Sequence, residues 1–394
     1  MGAIADLDVA ERRARLGRRH HLANSARAAS PLEVARSLVA FHATDPASVF
    51  LSAAARLSQP DVNAIEAALY EDRVLVRMLG MRRTMFVVPT DFAPVVQAAC
   101  TRAIAVRLRR TYQQMLEAAG LADDISAWLA EVERETLAAL ERRGEATAQE
   151  LAQDVPALKT QVLLGAGKSY AAIQGISTRV LMQLSADGKV IRGRPRGSWI
   201  SSQYRWSTID AWLPGGLPSL TATSAQVSLV RAWLQAFGPG TLADLKWWTG
   251  LTMGEVKRAI AHLNIAEVNL GESTGLVLAD DLEPVPEPED WVALLPALDA
   301  TPMGYADRTW FLGGHGPTLF DRSGNIGPTV WCDGHIVGGW AQGRDGGIVY
   351  KLLEDIGHEA EERVEAAVHQ LARWLGPVRV TPRFGTPLAR ELAG

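Results

Sequence analysis

The sequence predicts an α+β protein: three tandem winged helix-turn-helix domains followed by a β-rich C-terminal domain. Three observations carry that expectation. A unit of helix, short helix, turn, helix and hairpin recurs three times; the acidic, proline-rich stretch DDLEPVPEPED ends the recurrence; and the residues beyond it are strand-like apart from one amphipathic helix. At 394 residues, 47% hydrophobic and 21% charged, the chain exceeds one ordinary core. Domains are expected at 1–118, 119–222, 223–282 and 283–394.

In the first unit, Ser30-Pro31 supplies an N-cap and a first-turn proline, opening a helix with Leu32, Ala35, Leu38 and Val39 on one face. That apolar run reads as helical up to His42, and Asp45-Pro46 opens the next helix, to about Leu57, with Asp45 as structural N-cap. A third helix is expected over 59–70, then VLVRMLGM and RRTMFVVP as two strands around Gly80. The order returns as a helix over 125–142, a short one capped by Thr147, a third over 176–186, and KVIRGRPRGSWISSQYRW as two strands with an Arg- and Gly-rich tip. The third copy is AQVSLVRAWLQAF, GPGTLADLKWWTG with Thr241 as N-cap, LTMGEVKRAIAHL, and the hairpin IAEVNLGESTGLVLA. Past the linker, WVALLPALDATPMGY, GPTVWCDGHIVGGWAQ and GGIVYKLL read as strands and 358–374 as an amphipathic helix.

No apolar run approaches the ~18 to 20 residues of a membrane span, and the basic, amphipathic N-terminus lacks the apolar core of a signal peptide. Two distant cysteines, Cys100 and Cys332, imply neither a disulfide framework nor a zinc cluster. The expectation is a reduced, cytoplasmic protein without membrane association. Net charge is −4, but residues 1–110 hold sixteen arginines against ten carboxylates, whereas 265–300 hold nine carboxylates and no Lys or Arg. Such asymmetry fits one face for nucleic acid and another kept away from it, or an arginine-rich surface that is merely solvated.

Several motifs do not reach their chemistry. LLGAGKS lacks the glycine that a phosphate-binding loop needs with four residues between it and Gly-Lys-Ser, having Val162 there. Cys332-Asp-Gly-His335 supplies two of the four ligands structural zinc requires, and Asp333-Gly334 is a ready hairpin turn, so no metal is expected. His20-His21 reads as part of a solvated basic helix. The hairpin KVIRGRPRGSW is stronger: Lys189, Arg192, Arg194 and Arg196 occur with no acid between them. Arginines at alternate strand positions point the same way, a geometry suited to phosphates or a minor groove. A charged guard on a solvent-exposed edge is the alternative. Arg82 and Arg83, which start the second strand of the first hairpin, make a similar DNA-binding pair.

AFHATDPASVFLSAAARL, GKVIRGRPRGSW…YRW, LLPALDATPMGY and LFDRSGNIGPTVWCDGHIVGGWA together resemble the tandem winged-helix DNA glycosylases of the AlkZ and YcaQ family, in order from about residue 30 to 355. The resemblance implies a monofunctional glycosylase without metal or other cofactor, acting as a monomer on double-stranded DNA that bears bulky N7-alkylated guanine. It further implies base-excision repair at the nucleoid and self-resistance to a DNA-alkylating natural product. The family carries its catalytic pair as Gln, an apolar residue, then Gln or Asp, before Asp-Pro. This sequence has His42, Ala43 and Thr44 there and keeps Asp45-Pro46. The resemblance therefore makes His42 and Thr44 the catalytic candidates.

N7-alkylation leaves guanine cationic and already a good leaving group, so the enzyme has to steady an oxocarbenium-like sugar and place a water. Neutral His42 can accept a proton from that water, and Thr44 can orient it. In an extended joint, positions i and i+2 face the same way. Local sequence leaves another reading open: His42 at a helix C-terminus, stabilised by the dipole, with Thr44 and Asp45 as caps. No lysine precedes Lys159, which disfavours a Schiff-base route. A non-catalytic winged-helix DNA-binding protein, a lesion sensor or transcription regulator, is the competing function.

Overall fold

The computed structural model describes residues 5–164 and 172–394; the glycine-rich LLGAGKS loop falls outside them from Gly165 on. The chain opens with strand β1 (Ala5–Asp6) and helix α1 (Val9–Arg19). A first helix–hairpin unit follows: α2 (Pro31–Ser37), β2 (Phe41–His42), α3 (Pro46–Ala54), α4 (Val62–Glu66), β3 (Leu75–Gly80) and β4 (Thr84–Pro89). Short α5 (Ala93–Val96) and long α6 (Arg102–Ala118) lead into a second: α7 (Ile125–Arg143), β5 (Ala146–Thr147), α8 (Ala148–Asp154), the added hairpin β6 (Gln161–Leu164) and β7 (Ala172–Gly175), α9 (Ser177–Ala186), β8 (Val190–Pro195), β9 (Tyr204–Thr208) and α10 (Ile209–Trp212). The third is α11 (Ala222–Phe237), α12 (Leu242–Thr249), α13 (Met253–Ile260), β10 (Ile265–Asn269) and β11 (Thr274–Leu278). The remainder is β12 (Val292–Leu295), α14 (Thr309–Leu312), α15 (Gly316–Leu319), β13 (Thr329–Cys332), β14 (His335–Gln342), β15 (Ile348–Leu352), α16 (His358–Leu375) and α17 (Pro387–Ala393).

Local chemistry sets these boundaries. Ser30 accepts from Glu33 N at the start of α2, and Thr147 and Thr241 each form a reciprocal capping box with the acid three residues on. The main hairpin of each unit gains a third strand, giving sheets ordered β2-β4-β3, β5-β9-β8 and β1-β10-β11. The terminal sheet runs β12-β13-β14-β15, antiparallel throughout. Asp333 and Gly334, both at positive φ, make the tight turn between β13 and β14. One continuous core joins the first unit, the third unit and the terminal domain, whereas Leu129, Leu140, Leu151 and Leu184 build a separate core in the second.

Two sequence expectations are corrected here. The arginines of α1 do not form a free basic face. Arg15 pairs with Glu11 (2.7 Å) and Asp281 (3.2 Å), Arg19 with Asp281 (2.5 Å), and Arg18 donates to Pro286 O (2.7 Å). The N-terminal cations thus clasp the acidic linker, and part of the charge asymmetry is neutralised within the molecule. His20 is not solvated either; it is 0% exposed. Its Nε2 must carry the proton to donate to Ala236 O (3.0 Å), leaving Nδ1 as acceptor from Thr301 Oγ1 (2.9 Å). Burial, followed by nearby Arg56, pushes its pKa down to about 3.

Thr301 belongs to a buried network that docks the terminal domain on the first unit. Arg56 and Asp299, both fully buried, form an ion pair at 2.7 Å, and Ser52 Oγ donates to Asp299 at 2.6 Å. Burial would raise the Asp299 pKa, but Arg56, Ser52 and the Thr301 N–H together hold it below the usual carboxylate value. Removing one member would strand a buried charge, a loss of about 3–5 kcal/mol. The LDAT of the resembling motif is thus an interdomain clamp.

Candidate functional site

The segment between α2 and α3 builds the site. Helix α2 stops at Ser37, Val39 turns the chain with φ of 62°, and Phe41–His42 enters the sheet opposite Val87 and Phe86. The apolar run is therefore not helical up to His42; the ladder of β4 captures its last residues as an edge strand. This removes the reading of His42 as a group at a helix C-terminus. Ala43 N donates to Met85 O (2.8 Å) and Ala43 O accepts from Arg77 Nη1 (2.7 Å), so the backbone between His42 and Thr44 is held from both sides. Asp45 is the N-cap of α3: Oδ1 accepts from Ala47 N (3.1 Å), while Oδ2 accepts from Arg383 N (3.0 Å), far away in the chain.

His42 is 8% exposed, with Phe86 edge-on at 5.5 Å and its Nδ1 buried without a partner. Burial first, then the positive charge of Arg82, push its pKa down to about 3, so the imidazole is neutral at physiological pH. Thr44 is half-buried and lies on the wall of a cleft of about 440 Å³. The same cleft is lined by Arg192, Arg196, Arg383, Gln203 and Tyr204 and, among the described residues, by no Asp or Glu. His42 is not on this lining. The two side chains thus share a strand–helix joint, with Thr44 at the cleft and His42 packed against the sheet.

The hairpin arginines do not project from one face. A register shift between Arg192 and Pro195 breaks the alternation. Arg192 and Arg196 open onto the cleft, but Arg194 pairs with Glu66 (2.7 Å) and Glu71 (2.9 Å) from the first unit. Lys189, at the base of β8, is exposed and lies outside the cleft lining. Arg82 and Arg83, both at positive φ in the turn between β3 and β4, line a different cleft of about 740 Å³ with Arg102 and Arg107. Arg82 stacks on Trp247 at 3.9 Å, and burial brings its pKa down to about 10.

Three site residues escaped sequence reasoning. Arg77 is 2% exposed; Nη1 holds Ala43 O, while Nε and Nη2 have no partner. Tyr204 has a buried hydroxyl without a partner. Arg383 comes from the C-terminal end and reaches Thr44 O through Nη1 (3.4 Å). An arginine inside an apolar strand, VLVRMLGM, was the signal for the first. Nothing local marks Arg383.

The Cys332–His335 pair sits across the β13–β14 turn, but the His335 ring turns away to Glu354 (2.8 Å), which His315 also contacts (2.8 Å). Among the described residues, no three His, Cys, Asp or Glu gather in a way that would hold a metal ion, and no helix is long and apolar enough to cross a membrane.

Residues 35–374 match the sequence model of a family described as DNA glycosylase AlkZ-like. The fold is similar to the solved structure of the DNA glycosylase AlkZ from Streptomyces sahachiroi, with a TM-score of 0.73 and 20% identity over 96% of this chain and 99% of that one. No curated protein matches the sequence.

Proposed function

Since the chain belongs to the AlkZ-like DNA glycosylase family, we propose that it hydrolyses the N-glycosidic bond of bulky N7-alkylated guanine in duplex DNA. It does so as a monofunctional, metal-independent monomer in the cytoplasm, at the nucleoid, in base-excision repair and in self-resistance to a DNA-alkylating natural product. The three helix–hairpin units are read as winged helix-turn-helix domains that hold the duplex. The observation that carries the reading is an acid-free, arginine-lined cleft ending on the His42–Thr44 joint. An acid-free cationic wall suits the phosphate backbone, whose neutralisation dominates DNA affinity.

The leaving base is already cationic, so the protein contributes a positioned water. Neutral His42 is the proton acceptor, reached through that water, and the Thr44 hydroxyl orients it. Hydrolysis is preferred to Schiff-base strand nicking because no lysine precedes Lys159 in the sequence. Arg192, Arg196, Arg82, Arg83 and Lys189 are the proposed DNA contacts, with Arg194 reduced to a lesser part by its ion pairs.

Incubating the protein with duplex carrying a panel of N7-guanine adducts, from methyl to large polycyclic, then cleaving with alkali, tests the proposal. Abasic sites are expected with one bulky class above the rest, unchanged by chelator. Tight binding without abasic sites would leave a passive DNA-binding protein in its place, and activity lost to chelator and restored by zinc would overturn the metal-free chemistry.

A further inference from the structure

We propose that Arg192, Arg383 and Thr44 form a subsite for a single DNA backbone phosphodiester at the cleft wall, with Arg77 as the positioning residue beneath it. The inference rests on the DNA reading above and names which part of the substrate this cleft takes.

Guanidinium groups from three separate parts of the chain meet there: Arg77 from β3, Arg192 from β8 and Arg383 from the segment before α17. The Arg77 and Arg192 guanidinium carbons lie 4.9 and 5.5 Å from the centre of one ring, that of Tyr204. Among the described residues no carboxylate lines the cleft. Burial first, and Arg77 next, hold the Arg192 pKa down to about 10. Like charges brought together out of water without a counter-ion are unfavourable, and an anion between them and the solvent relieves that repulsion.

The unpartnered polar atoms agree on the sign of the ligand. Among the described residues, Arg192 Nε and the Tyr204 hydroxyl are buried without hydrogen-bond partners, and Arg77 Nε and Nη2 have only the neutral Tyr70 hydroxyl beside them. These four atoms on three side chains are themselves sealed, so what they leave to the cleft is uncompensated positive charge, which a phosphodiester's negative charge offsets. The Arg77 atoms are sealed from solvent, so Arg192 and Arg383 make the direct contacts while Arg77 supplies charge from below. The same charge repels a cationic alkylguanine. The damaged base is thereby kept off this wall, and the backbone is seated beside Thr44.

Arg77 also ties the subsite to the joint, since its Nη1 bond to Ala43 O fixes the peptide between His42 and Thr44. A phosphate seated over Arg192 and Arg77 therefore acts on the same backbone that presents the two proposed catalytic side chains. Its charge also offsets a cationic cluster that would otherwise oppose a positively charged sugar nearby.

The test measures binding alone, on duplex carrying a stable tetrahydrofuran abasic analogue with one neutral methylphosphonate linkage moved position by position. At one position the neutral linkage is expected to weaken the wild type by about tenfold and Arg192→Gln by less than about twofold, the signature of a shared interaction. Arg77→Lys, which keeps the charge but not the fork, should show intermediate coupling at that same position. Losses that simply add at every position would overturn the subsite. Should Arg77→Lys fail to fold by circular dichroism, the Arg192→Gln cycle decides alone. Because no excision is read, a protein inactive on alkylated DNA can still show the coupling, and an active one can still lack it.

Discussion

The first and third helix–hairpin units solve the same local problem differently. In the third, Gly240 bridges Leu276 of the hairpin and the next residue, Thr241, caps α12 with a capping box closed by Asp244. A side chain at Gly240 would bring its Cβ within 2.2 Å of Trp233. That joint is sealed: Asp244 closes the box through Oδ2, while its Oδ1 accepts from the distant Ala306 N (2.8 Å) and Asp307 N (3.2 Å). In the first unit Ala43 and Thr44 intervene between the last ladder pair, His42–Phe86, and the cap Asp45. The acid three residues on is absent, and the second Asp45 oxygen goes instead to the backbone of Arg383. The two intervening residues leave the joint open, with Thr44 on a cationic cleft. The second unit behaves like the third, with Thr147 as both ladder residue and cap, closed by Glu150. The same topology thus differs in spacing: only in the first unit do two residues separate the last ladder pair from the cap.

The largest effects should come from the open joint. His42→Ala is expected to lower the single-turnover excision rate by about 10²-fold or more with DNA affinity nearly unchanged, and His42→Gln to keep part of it. Thr44→Val should lose about 1–3 kcal/mol of transition-state stabilisation, one hydrogen bond to the water. A protein whose rate survives both His42→Ala and Thr44→Val would have its chemistry elsewhere.

Acid should unfold the protein through its two buried histidines. His20 and His42 are both held down to about 3, so below a pH of about 6.5 the unfolded chain binds protons the folded one excludes. Stability is therefore full above that pH and falls towards pH 3, by on the order of a few kcal/mol per histidine at pH 4. Urea midpoints from pH 7 to 4 read this, and His20→Gln should flatten the dependence. Over pH 8 to 5, kcat/KM should stay level, since His42 remains neutral; a drop centred near pH 6.5 would show that its ring is not buried in the working enzyme.

The closed joint sharpens the contrast. Thr241→Ala should cost about 1 kcal/mol of stability, a lost cap, and leave excision unchanged. Asp45→Ala should lower both, because it also releases Arg383. Equal effects of the two substitutions on excision would erase the distinction between the joints. The smallest expected change concerns salt dependence. Arg196→Ala should flatten the log–log slope of DNA affinity against salt by about one unit, whereas Arg194→Ala, already neutralised by Glu66 and Glu71, should barely move it.

Much of this molecule was legible before any coordinate. The caps at Ser30, Asp45, Thr147 and Thr241, the Asp333-Gly334 turn, the three hairpins and the linker after the third are written in short-range pattern, because a cap or a turn is satisfied by atoms within a few residues. The polar joint beside Asp45-Pro46 was visible for the same reason, and so was the basic character of the second hairpin. What the pattern misjudged were partners. The strand at His42 exists because β4 offers it a ladder; Arg194 is neutral in effect because α4 and the residues after it bring acids to it; the arginines of α1 find the linker about 270 residues on; His20 is dry because Thr301 and Ala236 close over it. Arg77 and Arg383 entered the site only through the fold. A charge or an imidazole takes its role from what surrounds it in space, and contacts between residues hundreds of positions apart leave no trace in local periodicity.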